Sequence, residues 1–367
     1  MNESVIKVPL VDLLAQYLSI KEEVDSAVAR VQERGLYVMG QEVEAFEEEW
    51  ARYCGAKFCV AVSSGTDALY LSLKAREIFP WKPRAWIPTR TFIATAEAAV
   101  RAGYQLLVCD QWPRPREVGL YRSNDVLIPV HLYGRRVEYP DGRSVEFPGG
   151  FIDILHDAAQ AHGAITLGEH EMGACYSFYP TKNLGAHGQA GAVVTNDPAL
   201  AAKLRMMRSH GEGAVRFKHE VLSGNYRMDE LQAAILRAKL PHLNAWNQRR
   251  RAIAQTYLSL LGGISELTLP PFGPSDVFHI FAVETPYRDS LAIFLKEQGI
   301  QTSVRYPYCI HQQPALQGLL EVVGDMGAAE AWARTNLSLP MYPELSDDQV
   351  EYVAGKVHEW ATMMNLG

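Results

Sequence analysis

Apolar residues at Val43, Phe46, Trp50 and Tyr53 follow the 3-4-3 spacing of one helix face, which predicts an amphipathic helix over 41–53. The next apolar run, 57–62, is continuous rather than periodic and has the length of a buried strand. Ser63-Ser64-Gly65 breaks it, and a helix is expected over 66–74, where Leu69 and Leu73 lie one turn apart. The same order recurs downstream. Strands are predicted at 85–88, 105–110, 125–131, 151–157 and 191–196, with a helix over 91–102. Strands alternating with helices imply an α/β protein, its mostly parallel sheet covered on both faces.

Residues 228–240 read as a strong helix ended by Pro241. A long charged helix from 241 to about 260 then leads to a second unit, opened by Leu269-Pro270-Pro271-Phe272-Gly273-Pro274. Its pattern is strand, helix over 288–298, strand, and a final helix from Asp347, a small α+β unit. Two domains are therefore expected: a large one with an N-terminal arm over 1–245, and a smaller one over 246–367.

Composition narrows the function classes. The 367 residues are 21% charged and 48% hydrophobic, ordinary for a globular protein. Net charge is 35 − 42 = −7 with no basic block, which argues against nucleic acid as the main partner. No apolar stretch approaches the roughly 20 residues of a membrane span. The start, Met1-Asn2-Glu3-Ser4, lacks the basic and apolar regions of a signal peptide. Cys54, Cys59, Cys109, Cys175 and Cys309 are scattered, odd in number and without metal-ligand spacing, so free thiols in a reducing cytoplasm and no metal site are expected.

Three segments carry chemistry. Ser64-Gly65-Thr66 follows an apolar strand and opens a helix, where backbone amides and a hydroxyl can hold a phosphate; the plainer alternative is a simple N-cap. Asp157 ends a very apolar strand, where an acid is costly to bury without a cation; alternatively it caps a helix that follows. On such a helix Gln160 would face the same side, placed to bond a phenolic oxygen. Lys182 lies twenty-five residues after Asp157, in Ser177-Phe178-Tyr179-Pro180-Thr181-Lys182-Asn183-Leu184-Gly185-Ala186. Most lysines are solvated charges, but a tight glycine-flanked turn would hold this amine near a cofactor. Amine, carboxylate and phosphate-holding helix start together are what a pyridoxal phosphate site needs: a Schiff-base lysine, an acid for the pyridinium nitrogen and an anion cradle.

With these segments, Thr91-Phe92-Ile93-Ala94-Thr95-Ala96-Glu97-Ala98, Ile128-Pro129-Val130-His131-Leu132-Tyr133-Gly134, Asn225-Tyr226-Arg227-Met228-Asp229-Glu230-Leu231-Gln232-Ala233-Ala234, His311-Gln312-Gln313-Pro314-Ala315 and Leu337-Ser338-Leu339-Pro340-Met341-Tyr342-Pro343 occur in order. The chain resembles the DegT/DnrJ/EryC1/StrS sugar aminotransferase family almost end to end. The resemblance implies the aspartate aminotransferase fold (fold type I), with a large mostly parallel sheet domain and a smaller C-terminal α+β domain, working as a homodimer with shared sites. It implies that Lys182 holds pyridoxal 5'-phosphate, Asp157 pairs with the ring nitrogen and Gln160 with the 3-hydroxyl side. Phe92 would stack on the ring. Ser64, Gly65, Thr66 and Ser177 would hold the phosphate, and Asn225 would reach it from the neighbouring subunit. Arg227, Tyr306 and His311 would lie near substrate.

Four places depart from the family pattern. His156 stands where the family usually has Glu, and Gly224 where it usually has an aromatic. Asp110-Gln111-Trp112-Pro113-Arg114-Pro115 replaces a common acidic run. Residues 139–150 read as a turn or short hairpin in place of a helix. The expected activity is transfer of an amino group, with glutamate as donor, to a keto sugar carried on a nucleoside diphosphate. Alternatives are an aminocyclitol-forming transaminase, a sugar dehydratase of the same fold, in whose relatives histidine replaces the lysine, and a non-catalytic sensor.

Overall fold

Both faces of the central strands are buried, and this explains their unbroken apolar runs. In Phe58–Val62 (β1), Val60 and Val62 enter one core while Cys59 and Ala61 enter the core on the opposite face. Successive strand side chains alternate faces, so a strand covered on both sides must be apolar throughout. The computed structural model describes residues 7–76, 83–110, 122, 124–137, 146–147, 150–168 and 171–365.

Helices α1 (Leu13–Ser19), α2 (Lys21–Arg34) and α3 (Gln41–Cys54) precede β1, and α4 (Gly65–Ala75) follows it. Then come β2 (Arg84–Pro88), α5 (Ile93–Ala102), β3 (Gln105–Cys109) and β4 (Val126–Leu127). A short antiparallel pair, β5 (Glu146–Phe147) and β6 (Gly150–Phe151), leads to β7 (Asp153–Asp157), β8 (Gly173–Ser177) and β9 (Gly191–Thr195). Helices α6 (Pro198–Met207), α7 (Glu230–Lys239) and α8 (Leu243–Leu261) follow. The chain ends with β10 (Phe281–Glu284), α9 (Arg288–Glu297), β11 (Leu320–Val322), α10 (Gly327–Thr335), β12 (Asn336–Leu339) and α11 (Asp347–Asn365).

Eight strands form the main sheet in the order β1-β9-β8-β7-β4-β2-β3-β11. Only β9 runs against its neighbours; the other pairs are parallel. Leu69, Leu71 and Leu73 of α4 and Ala96 and Ala99 of α5 cover one face. Phe46 and Trp50 of α3, with Leu236 of α7, cover the other. The C-terminal strands β10 and β12 pair antiparallel, and Phe281, Val283, Leu337 and Leu339 share a third core with Ile253 and Tyr257 of α8 and Val353 and Trp360 of α11. All five cysteines are buried.

Several sequence expectations are displaced, each for a local reason. The strand expected over 125–131 is reduced to Val126–Leu127, because Pro129 has no N–H to continue the ladder; the chain stays extended, and Val130 still bridges Asp157. Helix α5 begins at Ile93, with Phe92 in extended conformation at its N-cap. No helix follows Asp157: residues 159–164 form successive turns. The hairpin expected near 150 is present as β5 and β6. Residues 1–6, 111–121, 138–145 and 148–149, which include the unusual run after Asp110, lie outside the described residues. The edge strand β11 and helices α1, α2, α6 and α10 had no counterpart in the sequence reading.

Candidate active site

The carboxyl ends of β7 and β8 meet the start of α4 around a cavity of about 560 Å³, within the ~300–1,000 Å³ range of small-molecule sites. Open α/β sheets place ligands at this end. Two glycines let the backbones converge there. A Cβ on Gly65 would lie 2.6 Å from the Ser177 Cβ, and one on Gly191 would overlap the backbone of Ser64. Ser64, Gly65, Thr66 and Ser177 all line the cavity. Ser64 also caps α4, its Oγ accepting from the Asp67 N–H at 3.1 Å and donating to the Asp67 carboxylate at 2.8 Å.

Lys182 is held in a tight turn after β8. Its N–H donates to the Tyr179 carbonyl at 2.9 Å, and the Ala186 N–H donates to the Phe178 carbonyl at 2.8 Å. A side chain at Gly185 would overlap Pro180, so only glycine closes this turn. The amine faces the cavity and has no hydrogen-bond partner among the described residues. Burial pushes it down to about 8, against the pull of Asp157, with Arg305 adding to the fall.

Asp157 is buried at the end of β7, where the Thr95 hydroxyl donates to it at 2.7 Å and the Ala159 N–H at 3.2 Å. Burial nevertheless holds its carboxyl above the ordinary value. Its charged form is thus short of a cationic partner. Phe92 is 53% exposed, at the cavity wall rather than in the core, its ring 5.3 Å from that of Tyr306. Gln160 lines the cavity without the helix expected to place it. Its Oε1 accepts from the Tyr133 N–H at 2.7 Å and its Nε2 donates to the Tyr306 hydroxyl at 3.3 Å.

Nine of the expected residues therefore surround one cavity: Ser64, Gly65, Thr66, Phe92, Asp157, Gln160, Ser177, Lys182 and Tyr306. Three do not line it. Asn225 accepts from Arg227 Nε at 2.8 Å on an exposed segment. His311 sits between the Thr89 hydroxyl at 2.7 Å and the Glu330 carboxylate at 3.0 Å. Two residues went unrecognised. Thr95 was visible only as a threonine one turn after Thr91, to which it is bonded at 2.8 Å. Arg305 lines the cavity beside the expected Tyr306, but was not itself singled out in the sequence.

The histidine beside Asp157 acquires its own carboxylate. His156 Nε2 lies 3.0 Å from Glu171 Oε2, and His156 Nδ1 lies 2.9 Å from His131 Nε2. The Val137 N–H donates to His131 Nδ1 at 3.0 Å, so Nε2 of neutral His131 carries the hydrogen and donates to His156. Glu171 thus stands behind two stacked histidines, the inner of which, His131, lines the cavity. Gly224 leaves space for Tyr226, whose ring a Cβ would meet at 3.0 Å.

Residues 18–358 match the DegT/DnrJ/EryC1/StrS aminotransferase family. The chain belongs to that family. It is a pyridoxal-phosphate-dependent aminotransferase of the α/β, fold type I class. It is similar to the dTDP-3-amino-3,4,6-trideoxy-alpha-D-glucose transaminase of Streptomyces venezuelae, 40% identical over 97% of this chain and 96% of that one. It is also similar to a pleiotropic regulatory protein of Geobacillus stearothermophilus, 38% identical over 97% and 99%. Among solved structures it resembles S. venezuelae DesV in complex with a ketimine intermediate, with a TM-score of 0.88 and 39% identity over 97% and 98% of the two chains. The residues present fit the cofactor: a cavity-facing amine without a hydrogen-bond partner, a buried carboxylate short of a cation, and a helix start that only glycine lets approach. No helix among the described residues is long and apolar enough to cross a membrane.

Proposed function

We propose that this aminotransferase moves an amino group from an amino acid, glutamate in the first instance, to the keto carbon of a nucleoside-diphosphate-linked sugar in amino-sugar biosynthesis. The observation that carries this reading is the complete cavity set around Lys182 and Asp157 in a chain similar over 97% of its length to a dTDP-sugar transaminase. When bound, the cofactor supplies an aldehyde carbon and an electron-withdrawing ring. Lys182 would be its covalent attachment point and, once displaced, the base that carries the proton between the donor's Cα and the cofactor's C4′. Asp157, oriented by Thr95, would keep the ring nitrogen protonated. Phe92 would cover one ring face, Gln160 would reach the 3-hydroxyl side, and Ser64, Gly65, Thr66 and Ser177 would hold the phosphate. Tyr306 borders the space left for substrate.

Asn225, Arg227 and His311 enter the proposal differently. Asn225 and Arg227 lie off their own cavity, next to an exposed apolar run, Leu36 to Met39, that backs on them through the Val38–Asp229 bridge. This supports a homodimer in which that segment reaches the neighbouring site, with Asn225 at the phosphate and Arg227 near substrate. His311 would act near substrate through Thr89 and Glu330. The division into domains at 245/246 and a cytoplasmic location belong to the same reading.

The test is to load the purified protein with pyridoxal phosphate and supply L-glutamate with a panel of dTDP- and UDP-linked 3-keto and 4-keto sugars. Formation of 2-oxoglutarate together with an amino sugar, read by mass spectrometry, is expected. Turnover only with an inosose, or loss of water from the sugar without 2-oxoglutarate, would replace this reading with the cyclitol or dehydratase alternative.

A further inference from the structure

Tyr133 holds a left-handed backbone, φ 63°, in the loop over 131–137. A non-glycine residue keeps that conformation only where its surroundings enforce it. Hydrogen bonds tie the loop at both ends. The His131 N–H donates to the Asp157 carbonyl at 3.1 Å, and the Val137 N–H returns to His131 Nδ1 at 3.0 Å. Between them the Val277 N–H donates to the Gly134 carbonyl at 2.9 Å, and the Tyr133 N–H occupies Gln160 Oε1 at 2.7 Å. With its oxygen taken, the Gln160 amide turns its donor end outward, and Nε2 reaches the Tyr306 hydroxyl on the cavity wall at 3.3 Å.

The Val137 bond makes a demand that runs away from the cavity. His131 Nδ1 must accept, so Nε2 carries the hydrogen and needs an acceptor, which is His156 Nδ1 at 2.9 Å. His156 then carries its own hydrogen on Nε2, and its acceptor is Glu171 Oε2 at 3.0 Å. A carboxylate has no hydrogen to give, so Glu171 fixes the direction of every donor in the series. Burial, with His156 and Arg136 adding to the fall, keeps His131 well below the ordinary histidine value and so neutral. Without Glu171, His156 is free to carry its hydrogen on Nδ1, facing the His131 Nε2 hydrogen. His131 then relieves the clash only by moving its hydrogen to Nδ1, against the Val137 N–H.

We propose that Glu171 is a positioning residue for Gln160: acting through His156 and His131, it sets the loop that decides which end of the Gln160 amide faces the cavity. This rests on the reading in which Gln160 meets the cofactor's 3-hydroxyl side, where an amide donor suits a phenolic oxygen. His156 is one of the departures from the family pattern, so the arrangement belongs to this chain rather than to the pattern.

The experiment compares wild type with Glu171→Ala, Glu171→Gln, His156→Phe, His131→Asn and the double variant His131→Asn/Glu171→Ala. Long-range proton–nitrogen NMR of histidine-labelled protein reports which ring nitrogen carries hydrogen, the His131 signals being those that His131→Asn removes. Wild type should show His131 protonated on Nε2 alone, and Glu171→Ala the Nδ1 form or a mixture. Fluorescence titration of cofactor-free protein gives a second readout. Glu171→Ala should weaken pyridoxal phosphate binding roughly tenfold, the scale of one lost hydrogen bond, and shift the bound cofactor's absorbance band in the same direction as Gln160→Ala. Glu171→Gln keeps an acceptor oxygen and should stay close to wild type. His156→Phe cuts the series at a second point and should repeat the Glu171→Ala result, so a folding failure of one leaves the other to decide. In His131→Asn an amide oxygen can accept from Val137 with no call on His156, so adding Glu171→Ala should weaken binding no further. Equal weakening by Glu171→Ala in both backgrounds, or an unchanged hydrogen position on His131, overturns the proposal. If Gln160→Ala itself leaves binding and band unchanged, the cofactor role read for Gln160 falls, while the NMR comparison still judges Glu171.

Discussion

The Thr95 hydroxyl donates to Asp157 Oδ2 at 2.7 Å from the first turn of α5, across 62 residues of sequence. The bond lowers a carboxyl that burial holds high. Thr95→Val should therefore raise the Asp157 pKa further. Because the role proposed for Asp157 needs its carboxylate, the acid limb of the pH profile for the glutamate half-reaction should move to higher pH. Asp157→Asn removes the carboxylate altogether and should slow the half-reaction by about 10²–10³-fold. An unmoved acid limb in Thr95→Val would separate Thr95 from the ionisation of Asp157.

The 2.6 Å separation between a Cβ on Gly65 and the Ser177 Cβ leaves no room for alanine. Gly65→Ala should push α4 off β8 and open the phosphate end of the cavity. Overpacking of this kind costs about 1–3 kcal/mol, so pyridoxal phosphate affinity should drop roughly tenfold to a hundredfold. Titration of cofactor-free protein by fluorescence measures it directly.

The Lys182 amine, depressed to about 8 by burial, should show in the rate at which cofactor-free protein captures pyridoxal phosphate covalently. Only the neutral amine attacks, so the rate should climb with pH and level off above about 8, well below the 10.5 of an ordinary lysine. Removing the nearby cation in Arg305→Gln should move that midpoint upward. Lys182→Ala should abolish the absorbance band of the lysine-bound cofactor and slow amino transfer by about 10²–10⁴-fold.

Glu171, partly buried, and His156, buried, form a pair that a double-mutant cycle can isolate. Burial works against the Glu171 carboxylate, yet contact with His156 brings its pKa below the ordinary value. Glu171→Gln should cost roughly 1 kcal/mol in urea unfolding. His156→Glu would face Glu171 with a second acid beside Asp157 and should cost roughly 3–5 kcal/mol. Combining the two changes should recover about 0.5–3 kcal/mol of that loss, and strictly additive effects would show that the pair is not coupled.

The α/β class, most strands and the residues that meet at the cavity were legible in the sequence because each depends on local rules. Apolar runs mark strands covered on both faces, Ser64-Gly65-Thr66 marks a helix start, and Asp157 and Lys182 are conspicuous where they stand. Tertiary structure decided what those rules do not reach. Pro129 cut β4 short, so on that side the strand end bearing Asp157 is held by an isolated bridge from Val130, while β8 pairs with it on the other. Gln160 reaches the cavity through a chain of turns, its orientation set by Tyr133 and Tyr306 rather than by helical periodicity. Thr95, Glu171 and Arg305 gained their places from contacts between segments far apart in sequence. Such contacts depend on how the layers pack, and packing distances leave no mark on the order of residues along a chain.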